Sequence, residues 1–106
     1  LICCGTNELR VEADIGADPI WCNSCLMNLN LEDIAISKSL KQEMMDWVQQ
    51  YGGWIDWKNE GQWVPNGLEL ERLHNEHGER LTEKVKQELG PKYKVVFSKS
   101  AYGWTP

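Results

Sequence analysis

Phenylalanine is almost missing from this 106-residue chain, with Phe97 its sole representative. The apolar volume of an interior must then come from elsewhere, and six tryptophans, at 21, 47, 54, 57, 63 and 104, are the obvious source. Long apolar runs are missing too. None reaches the roughly eighteen residues of a membrane-spanning helix, and no basic start followed by an apolar stretch marks a secretory signal. Basic charge is scarce: eleven Lys and Arg face sixteen Asp and Glu, for a net charge of −5. Phosphate backbones need cationic surface, so this balance argues against nucleic acid, even with a basic group at Lys84, Lys86, Lys92, Lys94 and Lys99. No G-x-S-x-G, P-loop or dinucleotide fingerprint occurs, so no reaction is named and the reading leans away from an enzyme. The expectation is a cytoplasmic protein of one domain.

What is there starts with the thiols. All four stand near the beginning, as Cys3-Cys4-Gly5 and as Cys22-Asn23-Ser24-Cys25, with seventeen residues between Cys4 and Cys22. That gap suits the two halves of a zinc ribbon. Zinc favours soft sulfur ligands in a closed tetrahedron, and a four-thiolate site leaves no position for a reacting water. The expected cofactor is therefore one structural zinc per chain. A redox pair, two disulfides and free thiols are the alternatives. The second half has the usual C-x-x-C spacing, whereas the adjacent pair of the first half does not.

These residues carry a resemblance. Cys4-Gly5 followed by a strand, then an aromatic residue and Cys22-x-x-Cys25, resembles the zinc ribbon found at the N-terminus of some small bacterial proteins. The likeness covers about the first thirty residues and implies Cys4, Cys22 and Cys25 as metal ligands. Leu1 stands where a C-x-x-C-G knuckle would have its first cysteine. Cys3 is the expected replacement, and a cysteine just before Leu1 is the other way to complete the set. Trp21-Cys22-x-x-Cys25 is also similar to the W-C-x-x-C of thioredoxin-like enzymes. That fold needs a strand, a helix and another strand before the motif, and Gly16 and Pro19 interrupt a stretch too short to supply them.

Hydropathy patterning organises the rest. Leu9 to Ala13 alternates as a half-exposed strand, Asp14 to Pro19 carries turn residues, and Ile20-Trp21 returns toward the second thiol pair. Residues 27–31 alternate as a short third strand. Ser39 with Gln42 reads as a capping box that opens a helix with Leu40, Met44, Trp47, Val48 and Tyr51 on one face, ended by Gly52-Gly53. Residues 54–65 read as a structured loop. Asn66 then caps a long helix over about 68–89 whose stripe is Leu70, Leu73, His74, His77, Leu81 and Val85, closed by Gly90-Pro91. Residues 93–97 form a last strand. The expected class is α+β: a zinc-clamped β-hairpin module (1–31), a core of two helices packed on a small antiparallel sheet (32–97), and a loose tail (98–106).

Two further groups invite chemistry. Glu71, His74 and His77 share one side of the long helix, with the Glu-x-x-His spacing that di-metal carboxylate sites use. Such sites draw ligands from several helices, so the plainer expectation is two packed histidines; a second metal site is the alternative. Trp54, Trp57 and Trp63 surround polar residues and offer a surface for a partner or ligand. The function expected is a small zinc-binding protein that docks onto another protein. A metal enzyme built on Glu71, His74 and His77, and a thiol-based redox or metal sensor, are the alternatives.

Overall fold

The computed structural model describes residues 4, 7–56, 58 and 62–100. Its first element, β1 (Glu8–Val11), buries Leu9 and Val11 and turns Glu8 and Arg10 outward, so the period-two pattern sets its inner face. The chain reverses through residues 14–18 into β2 (Ile20–Cys22), antiparallel to β1, with Leu9 opposite Cys22 and Val11 opposite Ile20. On the outer face the Arg10 guanidinium lies 6.0 Å from the centre of the Trp21 ring, and the indole N–H of Trp21 donates to the Glu12 carbonyl at 2.9 Å. The hairpin is as its alternation suggests. Residues 27–31 differ: Asn28 makes a single bridge to Trp21, and the chain then winds into a short 3-10 turn at Leu31–Asp33.

Helix α1 (Lys38–Gln49) packs through Leu40, Met44, Trp47 and Val48. Its cap is Ser37, two residues before the expected Ser39; the Ser37 hydroxyl accepts from the Leu40 amide at 3.2 Å. A capping box places Glu or Gln three residues on, but here the carboxylate comes from fifty-one residues on. Glu88 accepts from the Ser37 amide at 2.6 Å and from its hydroxyl at 2.9 Å. The stretch read as a loop contains a minimal hairpin, β3 (Ile55–Asp56) against β4 (Gln62–Trp63). Helix α2 (Gly67–Leu89) follows, with Asn66 at the cap position but no side-chain bond from it, and Gly90 in the left-handed region at φ +83° just beyond its end.

The last strand, β5 (Lys94–Phe97), lies beside β1, so the sheet order is β2-β1-β5. The pairing is parallel, with Leu9 opposite Val95 and Val11 opposite Phe97. The architecture is α+β, two helices on a small sheet with a C-terminal strand, and the sheet itself is mixed. Parallel neighbours require a long connection, and both helices lie between β1 and β5. One core joins Leu9, Val11 and Val95 of the sheet to Met44, Trp47, Leu81 and Val85 of the helices. Tryptophan does supply the missing volume, since Trp47 and Trp54 are the largest fully buried side chains. Gly78 lets α2 approach: a Cβ there would stand 2.7 Å from the Trp47 ring and would also collide with Phe97.

Candidate functional site

The thiols converge where β2 ends. Cys22 is fully buried at the end of the strand, Cys25 and Cys4 are exposed, and the three sulfurs lie within 4.8 Å of one another. A tight turn sets this geometry. The Leu26 amide donates to the Cys22 carbonyl at 2.8 Å, and the Cys22 amide donates to the Met27 carbonyl at 2.9 Å. Leu26 occupies the left-handed region at φ +66°, and Cys4 does so at φ +61°. Both positions are of a kind that glycine usually takes, so the chain accepts local strain to bring the sulfurs together. Sulfurs bound to one zinc ion stand ~3.8 Å apart, given a zinc–sulfur distance of about 2.3 Å. The three thiols can hold a metal ion with small side-chain adjustment. Cys3, the expected fourth ligand, lies outside the described residues.

The α2 residues singled out by sequence face three different partners. The Glu71 carboxylate is buried and accepts from the Ser100 hydroxyl at 3.2 Å, while the Asn75 amide grips the Ser100 backbone through bonds of 2.7 and 3.1 Å. Asn75 gave no signal in the sequence, because its partner is a backbone peptide beyond β5. His74 is buried and stacked on Trp47, with ring centres 4.5 Å apart and planes 13° from parallel; Trp54 and Tyr51 close the cage. Its backbone carbonyl accepts from the Trp47 indole at 2.9 Å, while the ring Nδ1 is buried without a hydrogen-bond partner among the described residues. Burial, helped by the neighbouring charge of His77, pushes the His74 pKa down to about 4. His77 is half-buried, its Nε2 3.6 Å from the Glu43 carboxylate. Lys84 and His77 together hold Glu43 below the ordinary carboxylate range.

The tryptophan group divides. Trp54 is only 2% exposed and Trp63 is half-buried, whereas Trp57 lies outside the described residues. Trp54 and the His74 ring border a groove of about 500 Å³, walled on the α2 side by Leu70, Leu73, His77 and Arg80. The stripe read from the sequence slips here. His74, Leu81 and Val85 bury as expected, but toward the start of α2 the other buried positions are Gly67, Glu71 and Gly78. Leu73 is left 48% exposed and Leu68 70% exposed. The reason is Gly78 and the His74–Trp47 stack, which fix the rotation of α2 and turn its first leucines away from the core.

A family model described as Serratia CdiI immunity protein-like matches residues 7–100. The chain belongs to this family. The match takes in every strand and both helices, together with Cys22, Cys25 and the whole groove, and it begins after Cys4. The family shown is thus the immunity-protein one, and the zinc-ribbon likeness rests on the thiols alone. No curated protein matches the chain.

Proposed function

We propose that this chain is an immunity protein that binds a partner toxin and holds it inactive. The observation that carries the reading is the family match across residues 7–100, which covers the fold from β1 to the residues that follow β5. A protein partner is also consistent with the acidic balance and with large apolar side chains left exposed on α2. The chain acts in the cytoplasm by binding alone, on this reading, and no residue of it turns over a substrate. The thiol cluster holds one structural zinc through Cys4, Cys22 and Cys25, with Cys3 as the fourth ligand. Support for zinc comes from the soft donor set and from the strained turn at Leu26.

Co-expression with a partner toxin domain, chosen because it arrests growth when expressed alone, tests the reading. The toxin alone should stop growth, and co-expression of the chain should restore it while the two proteins co-purify. Growth arrest that persists despite abundant folded chain would overturn the assignment.

A further inference from the structure

The interior of this fold is well filled, yet α2 turns leucines out to water. Leu73 and Leu68 are among the most exposed large apolar residues described, and Leu73 lines the groove floored by Trp54 together with Leu70. Apolar surface that lines a concave feature is the usual core of a protein interface, with a polar rim around it. The rim shows what is still uncompensated. Glu43 is paired with Lys84 and His77, and Glu69 and Glu76 are both paired with Arg72. Arg80, at the groove wall, has no ion-pair or hydrogen-bond partner among the described residues.

We propose that this groove is the toxin-docking surface, and that it receives a large apolar side chain of the toxin flanked by a carboxylate. The apolar side chain seats on Trp54, Leu70 and Leu73, and the carboxylate pairs with the Arg80 guanidinium. The charge pattern selects this occupant, since Arg80 is the permanently charged side chain among the described lining residues and has no carboxylate paired with it there. Arginine beside a desolvated apolar contact is a common energetic centre of an interface. The proposal rests on the immunity-protein reading.

The test measures binding of the toxin domain that the chain neutralises in the growth assay to Leu73→Asp, Arg80→Glu and, as a control, Ile15→Asp in the turn between β1 and β2. Leu73, Arg80 and Ile15 are all exposed, so each variant should keep the parent circular dichroism and thermal midpoint. Leu73→Asp should weaken binding by at least about thirtyfold. Arg80→Glu should weaken it by about tenfold or more and should reduce the association rate most at low salt. Ile15→Asp should bind as the parent does. Parent-like affinity of both groove variants would overturn the groove and leave the immunity reading standing. A parent chain that does not bind the toxin at all would overturn both. A concentration-dependent dimer of the parent that Leu73→Asp dissolves would show that a second copy fills the groove, which also overturns the proposal.

Discussion

His74 concentrates three unfavourable choices in one side chain: burial, a ring nitrogen with no partner among the described residues, and a position beside another histidine. The stack on Trp47 and the cage of Trp54 and Tyr51 offset them through contact area. The electrostatic consequence has a definite sign. The folded pKa near 4 lies below the ordinary value of 6.5, so between these two pH values the unfolded chain binds a proton that the native chain does not. The His74 contribution is complete above pH 6.5, declines as pH falls through that window, and is lost below about 4. His74→Phe keeps an aromatic face on Trp47 and removes the titration. Thermal midpoints followed from pH 7 to 5 should therefore fall less steeply in His74→Phe than in the parent. Identical slopes would show that His74 is not the source of the pH dependence.

Among the elements, the most consequential junction is the start of α1, where Ser37 and Glu88 meet across fifty-one residues of sequence. Removing an N-cap hydroxyl costs about 1 kcal/mol. Ser37→Ala should lower the unfolding free energy by about that amount in urea titrations, and Glu88→Gln should cost less. Because the two act on one cap, the double variant should cost less than the sum of the singles. The thiol turn is the second junction. Cys25→Ser should reduce bound zinc from one per chain and loosen the β1–β2 hairpin, while α1 and α2 keep their far-UV signal through their own apolar faces. Metal analysis that finds no zinc in the parent would remove the site altogether. These junctions also mark how far the sequence could be read. Alternation at Leu9 and Val11 and the helical face of Leu40, Met44, Trp47 and Val48 are local signals, and both elements stand where they point. The Glu88 cap, the parallel seat of β5 and the rotation of α2 are contacts across long separations, and no local pattern encodes them. The thiol cluster was legible because two of its members share one tight turn. The groove was not, because Leu73 has the period of a core residue and only the Gly78 approach turns it outward.

At the scale of the whole molecule, an acidic chain presents an apolar groove between α2 and the segment that follows α1, and places its thiol turn at the end of β2. The family match spans the groove and takes in Cys22 and Cys25 but starts after Cys4, so Cys4 alone of the three clustered thiols lies outside it. If the thiols serve only the fold, a chain lacking Cys4 should still capture the toxin at low temperature, with a lower thermal midpoint. Loss of capture by a chain that remains folded would instead draw the thiol turn into the interface. The parallel pairing of β1 with β5 has a consequence in time. The central strand β1 emerges from the ribosome before both helices, while its second neighbour β5 emerges after them. Until then one side of β1 has an open row of amides and carbonyls, a template for pairing with another chain. A ribosome that stalls before residue 94 releases a product with that row uncovered. Such a product is prone to aggregate, and the sheet closes only when synthesis has passed β5.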